Sequence, residues 1–144
     1  MRFMLIVKAD RNKDAGFLPT KELVAAMMKY NEEMIREGVM LSAEGLHATS
    51  RGARVSFSGE SIMVTHGPFA DGTKLIAGFW IIQVKSLEEA IQWAKRWPAP
   101  TTGGETELEL RQVFEQGNFP SAILAGEAAA HEPAMRAEVR GAAA

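Results

Sequence analysis

The fold of this chain is decided by the stretch HGPFADGTKLIAGFW, which occupies residues 66–80. Its first half contains two pairs that interrupt regular structure, Gly67-Pro68 and Asp71-Gly72. Residues 76–84 are then apolar and aromatic, a composition typical of a strand inside a sheet. The sequence therefore predicts a turn-rich loop that runs into a buried strand. Loops that rigid elements hold at both ends often carry binding groups.

Upstream of this stretch, the sequence predicts a strand followed by a helix. Residues 3–7 form a short apolar run, which is typical of a central strand. Thr20 is suited to cap a helix and Gly38 to end it. Core packing is the favoured interpretation of the methionines in this helix, because they follow the helical period. The predicted apolar stripe contains Leu23, Val24, Met27, Met28, Asn31, Met34 and Ile35.

The remaining elements complete an α+β order. Residues 39–42 predict a strand, and residues 51–57 and 61–65 predict a hairpin. Ser86 and Glu89 form a capping box for a second helix, and residues 107–114 predict a last strand. Without the inserted β-hairpin the order is βαββαβ, which is ferredoxin-like. This domain is expected to occupy residues 1–119, followed by an Ala-rich tail or loosely packed helix over residues 120–144.

A ferredoxin-like sheet carries its helices on one face, so the other face is expected to be apolar and open. Large open apolar faces attract partners, and symmetric pairs are the commonest assemblies. The sequence therefore predicts a homodimer in which sheet packs on sheet, a dimeric α+β barrel. A cleft is expected between the sheet and the inserted loop.

Composition narrows the classes of function. The formal net charge is −2 and no cluster of Lys and Arg is present, which argues against nucleic acid as a partner. The sequence contains no cysteine, so thiol catalysis and thiolate metal sites are excluded. No apolar run has the length of a membrane span and no signal-peptide core is present, so we expect a cytoplasmic protein without a membrane partner.

Taken together, several motifs resemble the YCII-related (YciI-like, DGPF-domain) family of small bacterial proteins. They are the corner AEGLH at residues 43–47, the motif HGPF at 66–69, the strand IAGFW at 76–80, and the segments QVKS and EEAI at 83–86 and 88–91. The resemblance covers residues 1 to about 119 and implies a dimeric ferredoxin-like barrel. It implies no particular reaction.

The chain departs from the family motif at its first position, where His66 stands in place of Asp. If the family's Asp carries a proton, His66 changes the charge and the operating pH. If that Asp only forms a turn, the replacement costs some local hydrogen bonding. Asp71 also stands where Glu is typical.

The candidate catalytic residues are Glu44, His47, His66 and Asp71, since a His and a carboxylate in contact can act as a general acid–base pair. The alternative is that these side chains cap turns and contact solvent. Candidate ligand-binding residues are Gly67, Pro68, Phe69, Lys74 and Arg51. Two His and a carboxylate would also suit a metal, but no tight ligand spacing supports this, and we predict no metal and no cofactor.

Two functional hypotheses follow from these residues. The first is an enzyme that acts on a small molecule by acid–base chemistry without a cofactor, with His47 or His66 moving the proton and Glu44 or Asp71 orienting the imidazole. The second is a non-catalytic dimeric module that binds a small ligand or a protein partner.

Overall fold

The computed structural model describes residues 1–9, 19–70, 75–99 and 106–120. The predicted site residues Asp71 and Lys74 lie outside these ranges. Within them the strands are β1 (Arg2–Ala9), β2 (Met40–Gly45), β3 (Ala53–Ser58), β4 (Ser61–His66), β5 (Leu75–Gln83) and β6 (Leu108–Gln112), and the helices are α1 (Lys21–Arg36) and α2 (Leu87–Lys95). The predicted α+β class is confirmed. The last strand ends at Gln112, two residues earlier than predicted.

The main sheet has four strands in the order β2-β5-β1-β6, and each neighbouring pair is antiparallel. The two strands that α1 connects, β1 and β2, are thus separated by β5, and the two that α2 connects, β5 and β6, are separated by β1, as the split βαβ arrangement requires. This order is compatible with a ferredoxin-like fold. Strands β3 and β4 pair only with each other, in a two-stranded antiparallel sheet.

The predicted signals at the helix ends are confirmed. The Thr20 hydroxyl accepts a hydrogen bond from the Leu23 amide at 3.2 Å, and the Ser86 hydroxyl accepts one from the Glu89 amide at 3.1 Å. The Glu89 carboxylate reaches back to the Lys85 amide, one residue before the position that a capping box uses. Gly38 follows α1 with a φ of 70°, a conformation that glycine adopts without steric cost.

The core lies between the sheet and the two helices. Alternate residues of β1 are buried, and Leu5 is fully enclosed together with Met34 of α1 and Leu75 and Ile82 of β5. The opposite residues of β1, including Met4 and Ile6, are only partly buried. One face of the sheet is therefore covered more completely than the other.

The predicted apolar stripe of α1 is wrong at three positions. Val24, Met28 and Ile35 are 43%, 58% and 58% exposed. The buried residues of the helix are Tyr30, which the stripe omitted, and Met34. The helix is therefore rotated so that a tyrosine, whose hydroxyl has a partner, takes a core position.

A second compact unit begins at Val113. Its described part contains a short 3₁₀ helix, Gln116–Asn118, and the rings of Phe114 and Phe119 lie 5.3 Å apart. Residues 121–144 lie outside the described part, so the choice between tail and helix there stays a prediction. Among the described helices, none has the length and apolar character needed to span a membrane.

Candidate functional site

A cavity of about 640 Å³ lies within the first unit, against α1 and the adjoining ends of β1, β2 and β5. Its lining is mainly apolar, with a few polar groups. The lining residues are Val7, Lys8, Ala9, Pro19, Leu23, Val24, Met27, Met28, Asn31, Ala43, Glu44, Gly45, Leu46, His47, Ala48, Ile76, Ala77, Gly78, Trp80, Trp97 and Thr106. A cavity of this size and character is typical of a small-molecule site.

The apolar wall of the cavity comes from α1. Four consecutive members of the predicted stripe line it: Leu23, Val24, Met27 and Met28. Core packing therefore describes Met34, which is fully buried, but not Met28. Because methionine side chains are flexible and polarizable, they suit a surface that must adapt to a ligand.

Trp80 of β5 also lines the cavity and is 8% exposed. Its indole Nε1–H donates to Asn31 Oδ1 at 2.8 Å. The Tyr30 ring meets the Trp80 ring edge-on, with centroids 5.9 Å apart. These two contacts fix the orientation of the indole at the wall.

Close backbone contacts position the corner that carries Glu44 and His47. The Leu46 amide donates to the Ala77 carbonyl at 2.8 Å. A Cβ atom on Gly78 would lie 2.8 Å from the Glu44 carbonyl oxygen, so β2 and β5 approach this closely only because residue 78 is glycine. The corner is therefore held against the end of β5.

The structure brings Glu44 and His47 to the same cavity. The His47 ring lies beside Arg51, whose guanidinium NH1 is 3.4 Å from Nδ1 and 3.2 Å from Nε2. A guanidinium can only donate, so in a hydrogen bond between these groups an imidazole nitrogen is the acceptor. Among the described residues, no carboxylate contacts the His47 ring to orient it.

His66 lies elsewhere, at the base of the β3–β4 hairpin, where it is exposed and pairs with Ala53. It is absent from the described lining of the cavity. The two predicted histidines are thus not brought together there.

The predicted ligand-binding motif Gly67-Pro68-Phe69 makes contacts within the chain. A Cβ atom on Gly67 would lie 1.7 Å from the Thr49 carbonyl oxygen, and the Phe69 amide donates to the Thr49 hydroxyl at 3.0 Å. The Arg54 guanidinium lies 4.0 Å from the centre of the Phe69 ring. These contacts join the end of β4 to the 3₁₀ turn Thr49–Arg51.

Asn31 lies half-buried on the cavity wall but was not among the predicted site residues. The signal was present, because Asn31 is the one amide in an otherwise apolar stripe. Within the described ranges, no group of three or more His, Asp or Glu residues is arranged to hold a metal ion.

Comparison with known proteins identifies the family. The model of the YCII-related domain matches residues 1–115, and the chain therefore belongs to this family. The chain is also 28% identical over 102 residues to an uncharacterized protein of Rhizobium meliloti (strain 1021). That match covers 70% of this chain and 79% of the relative.

Proposed function

We propose that this YCII-related protein binds a small, largely apolar molecule in the cavity between α1 and the four-stranded sheet. The observation that carries the proposal is the lining itself: apolar side chains of α1 and the Trp80 ring line a cavity of about 640 Å³, with polar groups at a few points. Apolar walls supply affinity, and a few placed polar groups fix the orientation of a ligand.

The binding test uses the fluorescent probe 8-anilinonaphthalene-1-sulfonate and two matched variants of α1. Met28 and Ile35 are both 58% exposed, but only Met28 is among the described lining residues. Met28→Glu places a charge on the apolar wall, so we expect probe affinity to fall about tenfold or more. Ile35→Glu should leave it within twofold. Equal affinity in both variants would contradict binding in this cavity.

Acid–base catalysis in the same cavity is the second candidate function, because Glu44 and His47 both line it. His47 would carry the proton, and the Arg51 guanidinium, 3.2 Å from its Nε2, would help to position the ring. Asp71 remains a candidate partner outside the described residues, and His66 is the weaker candidate because it lies at the hairpin base.

Exchange of α-protons separates the two candidates. Acetophenone in D₂O loses a methyl proton to a base and regains a deuteron from solvent, which needs no cofactor. If His47 is catalytic, the protein accelerates this exchange above the buffer rate and His47→Gln removes the acceleration without abolishing binding. If binding occurs and exchange stays at the buffer rate, the protein acts on this ketone as a binding module.

The proposal includes a homodimer of the α+β barrel type, with the open face of the sheet as the contact. That face presents Met4 and Ile6 of β1 beside Phe79 and Ile81 of β5, opposite the helix side. The β3–β4 hairpin adds a second apolar surface, whose residues Val55, Phe57, Ile62 and Val64 are 52%, 74%, 66% and 54% exposed.

A stable dimer must bury a minimum area, and this favours a second copy that covers both the open face of the sheet and the apolar face of the hairpin. Stable interfaces bury about 800 Å² on each partner. The central residues of the sheet face are already partly buried within one chain, so this face alone supplies little of that area. A hairpin of two strands also has marginal stability in water unless its apolar face is covered.

A further inference from the structure

The hydrogen bond between Trp80 and Asn31 fixes which way the Asn31 amide points. An indole nitrogen can only donate, so the atom of Asn31 that lies 2.8 Å from Trp80 Nε1 must be the acceptor Oδ1. The Nδ2 group, with two donor hydrogens, then lies on the far side of the amide carbon from the indole. The edge-on contact with Tyr30 holds the Trp80 ring in place, so this orientation is set before any ligand binds.

The Nδ2 group of Asn31 has no acceptor among the described residues, while Oδ1 is already used. Asn31 is half-buried, and both it and Trp80 line the cavity, where the neighbouring α1 positions Met27 and Met28 are apolar. In a cavity that a ligand closes to water, a donor of this kind favours a ligand that supplies an acceptor, because a ligand without one would leave the donor unpaired.

We propose that Asn31 Nδ2 is the specificity-determining donor of this cavity, and that the ligand is an apolar molecule with an uncharged carbonyl oxygen: a small ketone, ester or amide. This inference rests on the proposed binding function. The carbonyl oxygen accepts from Nδ2 while the apolar body packs against the apolar lining residues Met27 and Met28 of α1. An uncharged acceptor fits better than a carboxylate, because Glu44 on the cavity lining disfavours a second negative charge.

Two other polar groups of the lining, Lys8 and His47, are less suited to this task. The Lys8 ammonium lies 3.9 Å from the Glu109 carboxylate, and the His47 ring is in contact with Arg51. Lys8 lies near the end of β1 and His47 lies at the corner after β2. Asn31, in contrast, lies on α1 and is hydrogen-bonded to Trp80 of β5. The position of the Asn31 donor is thus determined by both α1 and β5.

The test compares acetophenone with ethylbenzene, which has a similar shape but no acceptor. In the ¹⁵N-labelled protein, the side-chain NH₂ signals of Asn31 are identified by their loss in Asn31→Asp. Acetophenone should shift these signals and ethylbenzene should not. The wild-type protein should bind acetophenone about tenfold more tightly than ethylbenzene, as one hydrogen bond permits.

Asn31→Asp keeps an acceptor for Trp80 but removes the donor, so the preference for acetophenone should disappear. The ratio of the affinities for acetophenone and ethylbenzene would not change in this variant if Asn31 only supported the fold. The inference is overturned if acetophenone enters the cavity, as the methyl signals of Met27 and Met28 report, without moving the Asn31 signals. It is also overturned if ethylbenzene binds equally well. If neither compound moves the methionine signals, the proposed binding function itself fails.

Discussion

The Tyr30 hydroxyl donates a hydrogen bond to the Trp93 carbonyl oxygen at 2.9 Å, across 63 positions of sequence. This bond joins α1 to the last turn of α2 inside the core. At the same end, the Arg96 guanidinium forms an ion pair with Glu33 and lies 4.3 Å from the centre of the Trp93 ring. The two helices are therefore held together by polar contacts as well as by packing.

Removing the hydroxyl should destabilise the fold modestly. Tyr30→Phe keeps the buried ring but leaves the Trp93 carbonyl with its remaining donor, the Arg96 amide at 3.1 Å. We expect the free energy of unfolding to fall by about 1 kcal/mol. Urea denaturation followed by tryptophan fluorescence measures this. An unchanged midpoint would show that the bond adds no net stability.

The same tyrosine predicts a specific loss of stability at alkaline pH. Burial raises the pKa of Tyr30 from 10.0 to about 12, and the nearby Arg96 charge opposes the rise. Between pH 10.0 and about 12, Tyr30 keeps its proton in the folded chain but has released it in the unfolded chain. The free energy of unfolding is therefore unaffected by Tyr30 below pH 10.0 and falls as the pH rises toward about 12.

Tyr30 is the only tyrosine in the sequence, so the ultraviolet absorbance of tyrosinate reports its ionisation without overlap from another tyrosine. In Tyr30→Phe the free energy of unfolding should fall less at alkaline pH than in the wild-type protein, because the ionisation of Tyr30 no longer contributes. A titration midpoint near the ordinary value in the folded protein would contradict the burial of this hydroxyl.

Gly67 should not tolerate a side chain. In Gly67→Ala the new Cβ would lie 1.7 Å from the Thr49 carbonyl oxygen, and this contact is with backbone rather than with a movable side chain. We expect a loss of about 3 kcal/mol or more, at the upper end for overpacking. The matched control is Gly45→Ala, whose Cβ would have no neighbour within 4 Å. Similar stability of the two variants would contradict the close approach at the hairpin base.

The two faces of the hairpin provide a matched test of dimerisation. Phe57 and Ile62 face one another across the strands, while Met63 projects from the opposite face. Phe57 is 74% exposed and Met63 is 63% exposed. Phe57→Ser should weaken dimerisation about thirtyfold or more in sedimentation equilibrium, since a large buried apolar side chain contributes ~2 kcal/mol and the dimer contains two copies, and Met63→Ser should not. Equal effects, or a wild-type monomer, would contradict the proposed contact.

The sequence predicted the elements of the fold well because their signals are local. Thr20, Ser86 and Gly38 act through their own turns, so their roles follow from residues a few positions away. The rotation of α1 was harder to predict. Val24, Met28 and Tyr30 all suit an apolar environment, and the choice among them depends on Trp93, which lies on another helix.

The candidate site could be predicted only in part, for a similar reason. Glu44 and His47 lie near one another in sequence, both were candidate catalytic residues, and both line one cavity. His66 was grouped with them because of its motif, but a six-residue hairpin arm carries it to a separate position. The role proposed for Asn31 depends on a hydrogen bond to a residue 49 positions away, which no local pattern reveals.

The most direct test of the proposed binding cavity is the NMR spectrum of the protein with ¹³C-labelled methionine methyl groups, recorded as acetophenone is added. The sequence contains eight methionines, of which Met27 and Met28 line the cavity and Met63 lies on the hairpin. We predict saturable shifts of the Met27 and Met28 signals while the Met63 signal stays in place. Unmoved signals from Met27 and Met28, or equal shifts at Met63, would contradict the binding of a small apolar molecule in this cavity.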